Sequence, residues 1–191
     1  MAKSTKNIAR RSNQKSPLPL ILIGAGLIAF SLAFFIFGSL SQGSAESPEK
    51  DGPHGTPAPE LTLTDVQGRS VSLSDYRGQW VLVNNWATWC PPCKAEMPEL
   101  KSYYEAHRDE GFVIVAIESG EPADEVTAFA SSYGLTFPVW LDPTGEALEA
   151  FANFNLPSSY VIDRDGVIRM YWTGPVDVGT LEKYVTPLLE R

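Results

Sequence analysis

The hydrophobic and polar positions of this chain fall into three regimes. A long unbroken apolar run comes first, then a polar stretch without period, then a region where apolar strands and helical recurrences alternate. From Leu18 to Leu40 the sequence LPLILIGAGLIAFSLAFFIFGSL carries no charge. As a helix, such a run crosses a bilayer core of roughly 30 Å. Pro19 falls in its first turn, where a missing amide costs least, and Gly24, Ala25 and Gly26 are tolerated inside membrane helices. A core helix of a soluble domain would instead show a polar face. The following SQGSAESPEKDGPHGTPAP is rich in Ser, Gly and Pro and reads as a flexible tether.

The pattern changes at Ala58. Glu60 to Asp65 (ELTLTD) and Arg69 to Leu73 (RSVSL) alternate around Gln67 and Gly68, which predicts an amino-terminal β-hairpin. Gln79 to Trp86 (QWVLVNNW) predicts a buried strand. Pro91 to about Glu110 carries Met97, Leu100, Tyr103 and Tyr104 at helical recurrence, interrupted or kinked at Pro98, and Gly111 stops this helix. Phe112 to Ile117 (FVIVAI) is the continuous apolar run of a parallel central strand covered on both faces, and it completes a βαβ unit. Val126, Phe129 and Tyr133 place a helix over Glu121 to Tyr133, Phe137 to Leu141 reads as a strand, and Gly145 to Asn153 as a short helix. Ser159 to Asp163 and Val167 to Trp172 flank Arg164, Asp165 and Gly166 as an antiparallel hairpin, and Val178 to Glu190 closes the chain as a helix. This order predicts an α/β fold, a central mixed β-sheet flanked by helices on both faces. Tyr103, Tyr104, Phe129, Phe151 and Phe154 are assigned to its core.

Charge sharpens the division. Lys3, Lys6, Arg10, Arg11 and Lys15 are the only charges before Glu46, whereas the remainder holds 10 Lys and Arg against 23 Asp and Glu. The basic flank places the N-terminus in the cytoplasm and the rest outside. The expected organisation is a cytoplasmic segment 1–17, a single-pass anchor 18–40 at the cell membrane, a linker 41–57 and an extracytoplasmic domain 58–191. Gly43, Ser44 and Ala45 leave open cleavage of a signal peptide and secretion, although signal h-regions are usually about 7–15 residues long. An acidic domain without a basic stripe excludes nucleic acid as a partner.

Cys90 and Cys93 are the only cysteines, and they fall where a strand ends and a helix begins. A helix N-terminus offers unpaired amides and the positive end of the helix dipole, which stabilise the thiolate that disulfide exchange needs. Three readings follow: a redox pair, a structural staple or a metal site. A staple over so short a loop stabilises by only about 2 kcal/mol on the chain-entropy formula. A metal site would need His54 from the tether or His107 from late in the helix, a set that is hard to assemble.

Around the cysteines, WATWCPPCKAEMPEL (Trp86 to Leu100) resembles the active site of the thioredoxin superfamily, and most closely its TlpA/ResA group of membrane-tethered extracytoplasmic reductases. FNLPSSYVIDRDG (Phe154 to Gly166) is similar to the cis-proline loop and hairpin of the same family, so the resemblance covers roughly residues 56 to 191. It implies a thioredoxin-like fold without a bound cofactor. Cys90 would be the exposed nucleophile, Cys93 the buried resolving thiol, Pro157 the cis-proline beside them, and Trp89 part of the substrate face. Asn84 departs from the buried aspartate of cytoplasmic thioredoxins. Glu96, in a KxE context, could replace it as proton acceptor, or could be a solvated acid favoured by the helix dipole.

Pro91 and Pro92 lack amide hydrogens, so Cys93 N–H becomes the main backbone donor to the Cys90 sulfur. An ionised Glu96 would raise the cysteine pKa further, Lys94 would oppose it, and the balance favours a reductant. The resemblance implies protein disulfide substrates, among them apocytochrome c or copper-delivery proteins, and a membrane thiol-disulfide electron donor. Two relatives of the fold stay open as alternatives. A peroxiredoxin usually has its threonine three residues before the cysteine, and Thr88 lies two before Cys90. A Sco-like copper carrier spaces its cysteines by three and adds a distant histidine.

Overall fold

The computed structural model describes Pro48 and residues 53–190. The predicted basic segment 1–17, the anchor 18–40 and most of the linker 41–57 lie outside the described residues. No helix among the described residues is long and apolar enough to cross a membrane.

Seven strands form one mixed sheet in the order β2-β1-β5-β4-β3-β6-β7. Its centre is β3 (Trp80–Trp86) and β4 (Phe112–Ser119), paired in parallel with Val83 opposite Val115. All eight positions of β4 are buried. Each large apolar side chain so buried contributes about 1.5–3 kcal/mol, which drives such a strand to the middle of the sheet. The strand β5 (Val139–Asp142) continues the parallel layer on one side, and β6 (Ser158–Ile162) pairs antiparallel with β3 on the other. The hairpin is completed by β7 (Ile168–Thr173). At its tip the Asp163 carboxylate accepts the amides of Asp165 and Val167, at 3.0 and 2.8 Å, and Gly166 supplies the positive φ of 82° that the turn requires.

The amino-terminal hairpin of β1 (Thr62–Asp65) and β2 (Ser70–Ser72) forms as predicted. Thr64 of β1 pairs with Leu141 of β5, so the hairpin is one edge of the main sheet.

Helix α1 (Pro91–His107) and helix α2 (Ala123–Tyr133) cross over between parallel strands and cover one face of the sheet together with α4 (Val178–Tyr184) and α5 (Thr186–Leu189). The opposite face is covered by the short α3 (Glu146–Ala150), a 3-10 turn at Leu73–Tyr76 and the segment around Ala58 and Leu61. Two buried clusters result, one on each face.

Three expectations need correction. The helix over Pro91 to Glu110 runs without a break to His107 despite Pro98. Pro98 and Lys94 are both exposed, so the carbonyl left without its helical partner lies on the solvent side. The closing helix is split at Val185, because Pro187 cannot donate to the Lys183 carbonyl. Phe154, assigned to the core, is 71% exposed. Its segment lies outside helix α3, which ends at Ala150 instead of Asn153.

Candidate active site

Strand β3 delivers the chain to the site and α1 carries it away. Cys90 is the N-cap of α1 with extended backbone, and Pro91 and Pro92 occupy the first helical positions, where their missing amides break no helical bond. Cys90 and Cys93 form a disulfide with their Cα atoms 5.3 Å apart. The Cys93 amide donates to Cys90 Sγ at 3.3 Å, the one backbone donor that the two prolines leave in the first turn. Both cysteines are buried in this state, Cys90 at 3% exposure and Cys93 at 0%; the expected exposed nucleophile is only marginally the more accessible. Burial of Cys90 follows from its place beside Trp86 and Ala87 in the core cluster.

Glu96 is no solvated acid. It is 2% exposed and lies one helical turn beyond Cys93 on the buried side of α1. Asn84 Nδ2 donates to its Oε1 at 2.8 Å and the Val176 amide to its Oε2 at 3.0 Å. Burial pushes the Glu96 carboxyl up to about 8, against these two bonds, which favour the carboxylate. Such a group takes up and releases a proton near neutral pH. Asn84 also donates to Ser159 Oγ at 3.0 Å, tying β3, α1 and β6 together behind the disulfide.

The Leu156-Pro157 peptide bond is cis, as the resemblance implies. Asn85 pairs with Ser158, so the register carried one step further sets Pro157 against the end of β3, from which the cysteines follow. Leu156 packs on the cluster that contains both cysteines. Trp89, immediately before Cys90, is 65% exposed, while Trp86 is fully buried against the Phe129 ring at 4.8 Å. Trp89 and Phe154 are the exposed large hydrophobics among the described residues, and each lies within three residues of Cys90 or Pro157.

The histidines sit elsewhere. His107 ends α1, about 21 Å along the helix from Cys93 at 1.5 Å per residue, and is held by Glu110 and Glu182 at 3.1 Å each. His54 borders a groove with Trp80 and Leu188. Neither stands where a Sco-like metal set would need it. A groove of about 440 Å³ lined by Gln67, Tyr76, Ser131 and Trp140 also lies apart from the disulfide.

Two acids given no role in the sequence reading, Glu118 and Glu121, join the site through Thr88. The Thr88 amide and hydroxyl donate to Glu121 Oε2 and Oε1, at 2.9 and 2.5 Å, and the Glu121 amide donates to Glu118 Oε2 at 3.2 Å. The Thr88 hydroxyl is thus committed to a carboxylate. Glu118 is fully buried, and burial together with its sharing of a proton with Glu121 pushes it up to about 8. Burial opposes the charge of Glu121, but Thr88, Glu118 and Lys94 outweigh it and hold the group low. The one signal in the sequence was an acid directly after FVIVAI.

A mixed sheet with a cysteine pair at a strand-to-helix junction, faced by a cis-proline, defines a thioredoxin-like thiol-disulfide oxidoreductase. The chain belongs to the AhpC/TSA family, whose model matches residues 54–171. It is 38% identical over 131 residues to thiol-disulfide oxidoreductase ResA of Geobacillus kaustophilus, covering 69% of this chain and 75% of that one. With ResA of Bacillus subtilis it shares 32% identity over 176 residues, 92% of each chain. Among solved structures it is similar to a thioredoxin-family thiol:disulfide interchange protein of Chlorobium tepidum, with TM-score 0.64, 28% identity, and coverage of 74% of this chain and 99% of that one.

Proposed function

We propose that this oxidoreductase works as a reductase outside the cytoplasm, tethered to the cell membrane by residues 18–40 with its N-terminus cytoplasmic. It takes electrons from a membrane thiol-disulfide donor and passes them to disulfides of other proteins. Apocytochrome c and copper-delivery proteins are the substrate classes that the family resemblance puts forward.

The observation that carries this reading is the poverty of donors at Cys90 Sγ: the Cys93 amide is the one first-turn backbone donor, since Pro91 and Pro92 have none. A thiolate with few donors is poorly stabilised, and a poorly stabilised dithiol gives up its electrons readily. In the proposed reaction the Cys90 thiolate attacks a substrate disulfide and forms a mixed disulfide, and one substrate sulfur leaves and takes a proton. Glu96, as carboxylate, takes the Cys93 proton. Cys93 then attacks Cys90 Sγ and expels the second substrate thiolate. The substrate gains two electrons and the Cys90–Cys93 disulfide is regenerated. Cis-Pro157 and exposed Trp89 line the approach of the substrate chain, which lies extended beside them.

Equilibration with a glutathione redox buffer tests the direction. The expected midpoint lies near or below about −220 mV, among reducing thioredoxin-like proteins, and a midpoint near about −120 mV, the range of a disulfide-introducing enzyme, overturns it.

A further inference from the structure

We propose that Glu121 is a positioning residue for Cys90: its carboxylate grips Thr88 through both oxygens, fixes the Thr88-Trp89-Cys90 approach and sets a negative charge beside the attacking sulfur. The inference rests on Cys90 as the attacking thiol and adds to the reductase reading a residue 31 positions away in the chain.

An acid just before a helix ordinarily serves that helix, by accepting its free amides or by facing its dipole. Glu121 precedes Pro122, the N-cap of α2, and α2 has no side-chain cap bond. Both Glu121 carboxylate oxygens go to Thr88, one to the backbone amide at 2.9 Å and one to the hydroxyl at 2.5 Å. Two bonds to one residue fix direction as well as distance, and they act on the segment that leads from β3 into the disulfide.

The segment carrying Glu121 is itself pinned. Glu118 stands opposite Trp86 in the β3–β4 register and is fully buried. Its Oε2 accepts the Glu121 amide at 3.2 Å, and the Gly120 amide donates to the Asp142 carbonyl at 3.0 Å. Of the two carboxyl groups the buried Glu118 holds the proton and the half-buried Glu121 carries the charge.

Thr88 and Cys90 are two residues apart, so their Cα atoms are at most about 7 Å apart. A carboxylate bound to Thr88 raises the cost of the Cys90 thiolate in the same sense as the missing proline donors. The other ionisable groups around this corner are Glu118, Asp142 and Lys94, with Glu96 one turn beyond Cys93; none of them is substituted in the variants below, and Glu118, which Glu121 helps to hold protonated, is the one whose ionisation follows the Glu121 charge.

The test uses the reduced full-length chain in detergent, with Glu121→Gln, Thr88→Val and Thr88→Ser. Alkylation of Cys90 followed against pH gives its thiol pKa. Removal of the charge in Glu121→Gln is expected to lower it by about half a unit. At pH 8.5 the equilibrium with glutathione then shifts about twofold toward the dithiol, ~9 mV at 29.6 mV per tenfold. Well below the thiol pKa that the alkylation profile gives for each protein, no shift is expected. The pH-independent limit of the reaction with a small aromatic disulfide is expected to fall about threefold in Thr88→Val and to return in Thr88→Ser. A merely structural role would lower the melting temperature and leave these quantities in place. A wild-type thiol pKa in Glu121→Gln overturns the proposal, as does an equal rate limit for Thr88→Val and Thr88→Ser; the Thr88 pair decides alone if Glu121→Gln does not fold. An oxidising midpoint in the unsubstituted protein would count against the reductase reading while leaving these differences intact.

Discussion

The most informative side chain behind the disulfide is Glu96, because it combines full burial with two donors and a pKa near 8. As proton acceptor it must be ionised, so resolution of a mixed disulfide should accelerate as pH rises through about 8. Glu96→Gln keeps the shape and removes the base. The expected outcome is resolution slowed at least about tenfold at pH 8, with the rise near 8 gone, while attack by Cys90 is less affected. Stopped-flow measurement of mixed-disulfide decay separates the two steps, and an unchanged rate would leave Glu96 a packing residue. In the sequence Glu96 and Glu99 look alike, both acids early in one helix. Glu96 turns inward to Asn84 and the Val176 amide, while half-buried Glu99 accepts the Val178 amide at 3.2 Å. That difference arises from the docking of the loop before α4, about 80 residues away, which local periodicity does not contain.

At the scale of elements, the helix over the cysteines and the helix behind it depend on their caps. Asp177 caps α4, accepting the Thr180 amide at 2.7 Å, and that bond holds its carboxyl below the usual range. The cap also orders the loop that brings the Val176 amide to Glu96. Asp177→Ala should cost about 1 kcal/mol of stability, read from the denaturant midpoint at unchanged m-value. Most elements were legible because their signals are local. Alternation marked the first hairpin and turn chemistry the second, FVIVAI marked six of the eight buried positions of β4, and Gly111, with φ at 73°, ends the 3-10 turn Arg108–Glu110 that follows α1. The misread elements share a cause. Whether Pro98 breaks a helix depends on where its open carbonyl faces, and whether Phe154 is buried depends on how far α3 runs.

For the whole molecule, ionisation of a few buried groups sets how stability depends on pH. Glu96 and Glu118 stay neutral in the fold up to about 8, but ionise above about 4.5 when unfolded, so their contribution is complete below 4.5 and lost as pH rises to 8. His107 acts in the same sense. Burial opposes its charge, but Glu182 and Glu110 outweigh burial and raise it above 6.5, so its contribution is lost as pH rises through the folded value. Asp65, Asp163 and Asp177 are held below 3.8, and their contribution is lost only as pH falls beneath that value. Stability should therefore peak between about pH 4 and 6, with the melting temperature of the oxidised protein at least about 5 °C lower at pH 8.5 than at pH 5. Calorimetry across that range checks it, and a flat profile would mean that Glu96 and Glu118 ionise freely in the fold. The cis-proline place of Pro157 came from the family resemblance; by itself the sequence determined the cysteine pair at a strand-to-helix junction and the order of strands and helices. Those features depend on residues close in the chain, through side-chain period, turn chemistry and missing amides. Only the tertiary structure decided which acids are buried, that Thr88 is held by Glu121, and that the first hairpin joins the sheet through β5. Burial and polar partners are set where distant segments meet, and no local pattern carries that information.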